Sequence, residues 1–350
     1  MVWHAVNQPR LLVNPLLHSL LPLAQRRGVL PPQLVRKTSL AKQTLPASNL
    51  RVSPLDWWQL LQNAQHALPN SELWQLLSED LIQQSYSPLV TAVTNAPTWG
   101  QALYWLKRYQ SLLLPLEFAL TERHGDYLKL TLLPRLGERL LPRLGGLAAP
   151  QLLAVGVLIN LARAHQVAVA EWHMSWPLAA EVALPSAWHK WLGSIHAGPL
   201  LTLHLPWQQL SQAQPRVAEL QPALAQALSF CQLQHQHARY QSLLEQVLRW
   251  LLVRISQQQV VSIELLAQHC NLSVSSLKRA LAHHGSHYQS CVDSIRQLRL
   301  LQLLQQHPYN NTELAQLLGY ANPNNFRRAC KRWLGVCPDH IRANLQPLFT

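Results

Sequence analysis

Along the last ninety or so residues the apolar positions fall twice into the same figure, from Ile263 to Leu281 and again from Thr312 to Trp333. In the second figure Leu314, Ala315, Leu317 and Leu318 lie at helical spacing, and Gly319 supplies the left-handed turn that ends a helix. Asn322-Pro323 opens the next helix. There Phe326, Ala329, Cys330 and Trp333 recur at i, i+3, i+4 and i+7, one apolar stripe for packing. At about 100° per residue Asn324, Arg327, Arg328 and Lys331 fall on the opposite side, with Arg332 at the flank.

The first figure repeats the plan. Ala267 stands where the second has Ala315, small enough for two helices to cross closely. Asn271 replaces Gly319 at the turn, and Asn is the non-glycine residue that best tolerates that conformation. Ser273 caps the following helix. Val274, Leu277, Ala280 and Leu281 face inward, while Ser275 and Arg279 face out with Ser276, Lys278 and His283 toward the edges. Arg279 and Arg328 hold equivalent places, two residues past Leu277 and Phe326. A helical bridge from about Cys291 to Gln306 joins the figures, roughly 24 Å at 1.5 Å per residue. With its flanking turns it approaches the ~34 Å between successive major grooves on one face of DNA.

Two helix-turn-helix units in tandem point to sequence-specific DNA binding. A helix that buries one face and crowds guanidinium and amide groups on the other suits the major groove, where Arg reads guanine and Asn reads adenine by paired hydrogen bonds. The base-reading candidates are Ser275, Ser276, Arg279, Asn324, Arg327 and Arg328; Lys278, Lys331 and Arg332 suit phosphates. Any three-helix module shows such stripes, and an Arg-rich face is commonly just solvated. The duplication is what tips the reading.

Upstream the pattern changes. Leu11 to Val29 reads as a leucine-faced helix broken by Pro31-Pro32. Ser53-Pro54 is a helix start, with Ser as cap and Pro in the first turn, and Thr98 to Leu106 opens another helix. Leu116, Phe118 and Leu120 then alternate with Glu117 and Ala119, and Leu128, Leu130 and Leu132 with Lys129 and Thr131. His124-Gly125-Asp126 between them is turn chemistry, giving a hairpin with one apolar face. Val167 to Trp176 and Leu200 to Leu205 are further strand candidates. The expectation is an α+β N-terminal domain, helices with a small antiparallel sheet, followed by an all-α C-terminal domain of two helix-turn-helix units and a linker helix. Residues 206–259, with the Leu243, Leu244, Val247, Leu248, Leu251 stripe, read as a helical connector.

The segment from Val261 to Arg342 resembles the DNA-binding domain of the AraC/XylS transcription regulators. The similarity is carried by Leu318-Gly319-Tyr320-Ala321-Asn322-Pro323-Asn324-Asn325-Phe326-Arg327-Arg328-Ala329, by Lys331-Arg332-Trp333-Leu334-Gly335-Val336-Cys337-Pro338, and by Leu277-Lys278-Arg279 with Gly285 downstream. The resemblance marks Ala267, Asn271, Ala315, Gly319, Gly335 and Pro338 as turn and packing positions. Asn311, Cys330 and Leu281 depart from the family's usual Ile or Val, Phe, and aromatic residue, which would loosen packing. Leu11-Leu12-Val13-Asn14-Pro15-Leu16-Leu17, the Pro54 to Gln65 helix and Pro97-Thr98-Trp99-Gly100-Gln101-Ala102-Leu103 are similar, as shorter patterns, to the effector-binding and dimerisation domain of one branch of that family, the branch with an arabinose-binding-like domain. The resemblance implies three parts: an effector and dimerisation domain over 11–205, a connector over 206–259 and the DNA-binding domain over 260–345. It also implies promoter DNA, RNA polymerase and a small-molecule effector as partners, a homodimer, and activation of transcription.

Composition agrees. Of the formal net charge of +13, the residues beyond position 240 carry eleven Lys and Arg against five Asp and Glu, so charge density is highest where the motifs lie. The five cysteines are odd in number and scattered, as reduced thiols in a cytoplasmic protein would be. The N-terminus lacks the pattern of a signal peptide, and the apolar run Leu152 to Ile159 is far shorter than the ~20 residues a bilayer requires, so no membrane association is expected. Trp57, Trp58 and Trp99 are candidates for an apolar effector pocket, although core packing explains them at least as well. His235 with His237, and His283 with His284 and His287, are weak metal patterns; no metal or other cofactor is expected. No phosphate loop or nucleophile elbow is present, so an enzyme is not expected. An enzyme with a DNA-binding appendage and a low-specificity architectural protein are the alternatives.

Overall fold

In the computed structural model the described residues are 3–43, 45, 49–69, 72–84, 86–140, 148–177, 184–198, 200–214, 217–237 and 240–340. They form two compact units: a larger one, Val6–Arg135 with Leu140–Tyr240, and a smaller one that gathers Met1–Ala5, Leu136–Arg139 and Gln241–Thr350.

The larger unit begins with β1 (Leu11–Leu12), α1 (Asn14–Gln25), the short α2 (Pro31–Leu34) and β2 (Arg51–Val52). Leu11 pairs with Val52, so the expected helix from Leu11 is a strand at its first two residues. Helix starts only at Asn14 because Pro15 suits a first helical turn, and Gly28 at φ +74° turns the chain out again. There follow α3 (Pro54–Ala67), α4 (Leu73–Gln83), α5 (Pro88–Thr94) and α6 (Trp99–Arg108). Ser53 caps α3 in a reciprocal box with Asp56, and Thr98 caps α6, as their sequences anticipate.

The strands β3 (Glu117–His124) and β4 (Tyr127–Pro134) form the expected hairpin, followed by α7 (Ala148–Ala164), β5 (His173–Pro177), α8 (Ser186–Trp191), β6 (Ser194–Gly198), β7 (Thr202–Pro206) and α9 (Val217–His237). The hairpin register corrects the expected single apolar face. A two-residue turn at Gly125-Asp126 closes His124 onto Tyr127, which pairs Ala119 with Leu132 and Thr121 with Leu130. Phe118 and Leu120 therefore share the opposite face with Leu133 and Thr131. Loop length sets the parity of the register, and apolar alternation within each strand carries no information about it. The five strands lie in the order β3-β4-β7-β5-β6, and β5 with β6 runs parallel, so the sheet is mixed where an antiparallel one was expected. Of the stretch Val167 to Trp176 only the part from His173 is strand; Val169–Glu171 is a 3-10 turn.

Helix α7 buries every residue from Leu152 to Ile159, Gly156 included, whose missing Cβ leaves room for the Ser78 hydroxyl. It packs against α3, α4 and α5. Its buried Asn160 is paired: it donates to Ser78 Oγ at 3.0 Å and accepts from Gln75 at 3.3 Å, while Trp188 Nε1 donates to Gln75 at 2.7 Å. Among the described residues no helix is long and apolar enough to cross a membrane.

The smaller unit contains α10 (Leu243–Ser256), α11 (Ile263–His269), α12 (Val274–His283), α13 (Tyr288–Gln306), α14 (Asn311–Leu317) and α15 (Pro323–Leu334). The stretch 206–259 is not one connector. Helix α9 packs on α5, whereas α10 packs its buried Leu244, Val247, Leu248 and Leu251 with α12 and α13. The last five residues of the region expected to bind DNA, 341–345, lie outside the described residues, as does the His237 side chain.

Candidate nucleic-acid interface

Each short helix of the two helix-turn-helix pairs starts on a side-chain cap. Ser262, Ser273, Asn310 and Asn322 accept from backbone N–H groups of α11, α12, α14 and α15 respectively. A cap of this kind is worth about 1 kcal/mol, which matters for helices too short to be stable alone. The Asn310 box with Glu313 was readable as Asn-x-x-Glu, a signal that places the helix start one residue before Thr312.

The turns have the required conformation. Asn271 sits at φ +55° and Gly319 at φ +72°. In both, the next residue donates back to the small residue of the first helix, Leu272 N to Ala267 O at 2.9 Å and Tyr320 N to Ala315 O at 2.8 Å. Ala267 and Ala315 are buried. Gly335, at φ +73°, ends α15, and Pro338 is buried just beyond it.

On α12 Leu277, Ala280 and Leu281 are buried, Val274 and Ser276 are partly exposed, and Ser275, Lys278, Arg279 and His283 are exposed. On α15 Phe326, Ala329 and Cys330 are buried, with Trp333 partly so, while Asn324, Arg327, Arg328, Lys331 and Arg332 are exposed. Both helices thus present cationic and amide groups on a solvent-facing side over an apolar underside. The smaller residues Leu281 and Cys330 are fully covered. Asn311 is partly exposed, and its amide donates to both carboxylate oxygens of Asp339 at 3.2 and 3.1 Å.

Helix α13 supplies two contacts that sequence reasoning missed. Asp293 accepts from Arg332 Nη2 at 2.8 Å, so the flank arginine expected on a phosphate is held by a carboxylate of the bridge. One turn along, the Arg296 guanidinium lies 4.5 Å from the centroid of Tyr320 and donates to the Gly319 carbonyl at 3.4 Å. Asp293 and Arg296 together pin the turn and the last helix of the second unit. The histidine cluster separates: His283 is exposed, whereas His284 is fully buried, bonded to Ala280 O at 2.9 Å and His4 O at 3.1 Å. Burial holds the His284 imidazole below the usual range, against the raising effect of those two carbonyls. Gly137 N donates to His284 O at 2.8 Å and Arg139 N to Gly285 O at 2.9 Å, so residues 136–139 line the backbone that leaves α12. Glu138 between them accepts from Ser290 Oγ.

Trp57, Trp58 and Trp99 are 2%, 1% and 0% exposed, so all three are core residues of the larger unit. Trp99 stacks on Trp172 with ring centroids 5.8 Å apart.

Residues 266–344 match the family model of a helix-turn-helix domain. Residues 28–175 match the model of the N-terminal arabinose-binding domain of AraC transcription regulators. An ornithine utilization regulator of Pseudomonas aeruginosa is 27% identical over 337 residues, 93% of this chain and 94% of that one. The HTH-type transcriptional regulator VirS of Mycobacterium tuberculosis is 29% identical over 82 residues, 23% of this chain and 24% of its own. The crystal structure of the transcriptional regulator CdpR from Pseudomonas aeruginosa aligns at 20% identity with a TM-score of 0.40, covering 94% of this chain and 96% of that one.

Proposed function

This chain belongs to the AraC family of transcription regulators, and from that premise we propose that its two recognition helices, α12 and α15, enter adjacent major grooves of one promoter site. Arg279, Arg327 and Arg328 read base edges, with Asn324, Ser275 and Ser276 completing the readout, and Lys278 and Lys331 neutralise phosphates. Arg332 acts through Asp293 to orient α15. The observation that carries this reading is the exposed Asn and Arg side of α15 over a buried stripe of Phe326, Ala329 and Cys330, matched in α12 by Arg279 over Leu277 and Leu281. Helix α13 has 19 residues, about 28 Å at 1.5 Å per residue, a length suited to neighbouring grooves once the turns are added.

The larger unit senses a small molecule. Its effector shifts the balance between arrangements of the chain by binding one of them more tightly, since equal affinity for both shifts nothing. The family resemblance supports a homodimer that activates transcription through RNA polymerase. Selection of bound duplexes from a random pool, followed by footprinting of the selected site, tests the assignment. A single preferred sequence with two protected major-groove patches is expected; equal affinity for selected and random duplexes at physiological salt would favour an architectural protein instead.

A further inference from the structure

The turn between α12 and α13 is buried, which loops seldom are. His284, Gly285 and Ser286 are all covered, and part of the cover comes from a segment far away in sequence, Leu136 to Arg139. That segment follows β4 directly. Pro134 is the last residue of the strand, and Arg135 is fixed in the larger unit by its N–H on Leu116 O at 2.9 Å and its guanidinium on Pro115 O at 2.9 Å. The next residue already belongs to the smaller unit. Leu136 is 1% exposed there. The N–H groups of Gly137 and Arg139 then meet the successive carbonyls of His284 and Gly285, so the segment lies along the turn as a short paired strap.

Two independent features fit this docking. Gly137 is not held at positive φ, so no turn demands a glycine there. Space demands it: a Cβ would stand 2.7 Å from His284 O and closer still to Gly285 C and O, backbone atoms that no side-chain rotation can clear. The second feature is the start of α13. Helices α11, α12, α14 and α15 each begin on a capping side chain, whereas His287 before α13 makes no capping bond and the first turn of α13 carries no acidic residue. Glu138 of the strap brings the carboxylate. It accepts from Ser290 Oγ in that first turn and lies 3.7 Å from His287 Nδ1. A carboxylate at this end complements the helix dipole. Glu138 and His287 are half-exposed, so their ion pair alone is weak; the backbone pairing holds the strap and Glu138 sets its place on α13.

We propose that Leu136–Arg139 is a docking strap that sets whether the first recognition helix can read DNA. Docked, it fixes the end of α12 against the start of α13 and so holds Arg279 and its neighbours at the angle the groove requires. Released, α12 loses its base contacts. Helix α15 keeps its own, because Asp293 and Arg296 pin its flank and turn from within the smaller unit. The strap continues β4 with only Arg135 between them, so a displacement of the hairpin end reaches α12 and not α15. The strap thereby makes one half of the DNA site conditional on the larger unit and leaves the other half constitutive.

The inference rests on reading α12 and α15 as the base-reading helices, and its test separates the two. The full chain is compared with Gly137→Ala, Glu138→Gln, Ser290→Ala and the Glu138→Gln/Ser290→Ala double variant by amide hydrogen exchange, by affinity for the selected duplex and by methylation interference. Gly137→Ala should speed exchange at Arg139 and across 281–291 at least tenfold while β4 and residues 314–334 stay within about twofold. It should weaken duplex binding at least fivefold, the loss confined to the guanine cluster that Arg279→Ala also erases. Glu138→Gln and Ser290→Ala should each weaken binding at least twofold, and the double variant no more than the worse single one, since both break the same contact. The strap is overturned if Gly137→Ala exchanges and binds like the wild type, if it weakens both clusters alike, or if the two single losses multiply in the double variant. Should Gly137→Ala fail to fold, the double variant decides. A wild type without paired guanine clusters would instead overturn the groove assignment, while the exchange measurement still reports whether the strap docks.

Discussion

A guanidinium on a base edge and an ammonium on a phosphate lose different things when removed. Arg328→Ala or Arg327→Ala should cost about 1–3 kcal/mol of binding to the selected site and spare non-specific binding more, read by competition between specific and random duplexes; equal losses on both would remove these residues from the groove. Lys331→Gln should lower the slope of log K against log salt by about 0.9. Arg332→Gln should leave that slope nearly unchanged, because Asp293 already neutralises the guanidinium. If the Arg332 slope falls as far as the Lys331 slope, the Asp293 pair does not persist on DNA. These roles were legible unequally. The outward positions of Arg279, Arg327 and Arg328 followed from helical spacing alone, whereas the partner of Arg332 lies thirty-nine residues away on another helix, beyond the reach of any periodicity. For the same reason Arg296 gave no local sign that it would stack on Tyr320.

At the scale of elements, the turn of the second unit is the most constrained point. Gly319 holds φ +72°, a region that costs an L-residue roughly 1–2 kcal/mol and a β-branched one more. Gly319→Val should destabilise the smaller unit by at least about 2 kcal/mol, measured by denaturant unfolding, while Gly319→Asn should recover most of the loss because Asn271 already serves in the equivalent turn. A Val variant of wild-type stability would contradict the assignment. Both turns, the caps at Ser53, Thr98 and Ser273, and the bridge helix were readable because each depends on neighbours within one or two turns of chain. The sheet was not. Its register follows from the two-residue turn at Gly125-Asp126, its parallel pair from the crossover through α8, and the partner of α10 from packing between distant segments. Glu122, Lys129, His204, His173 and Ser194 come to lie side by side only once five strands are in register, which is why no stretch of sequence announced their alignment.

For the whole molecule, buried ionisable groups set the response to pH in the larger unit. His204, held at about 3, is a base with a lowered folded value: it contributes stability above its unfolded pKa near 6.5 and loses it as pH falls, about 2 kcal/mol by pH 5. Glu117 acts in the other direction. Burial raises its carboxyl to about 8 against the pull of Arg135, so it costs stability as pH rises from about 4.5 toward 8. The two offset one another in the wild type. Glu117→Gln should therefore raise stability at pH 7 by about 3 kcal/mol and expose a clear loss between pH 7 and 5, followed by unfolding of the larger unit at each pH; a variant no more stable at pH 7 would show that Glu117 stays ionised.

The central claim, that one chain reads two successive major grooves, is tested most directly by methylation interference on the selected duplex. Guanine N7 contacts should appear in two clusters about 10 base pairs apart on the same face of the helix, and Arg279→Ala should erase one cluster while Arg328→Ala erases the other. A single cluster, or two that vanish together in either variant, would contradict it.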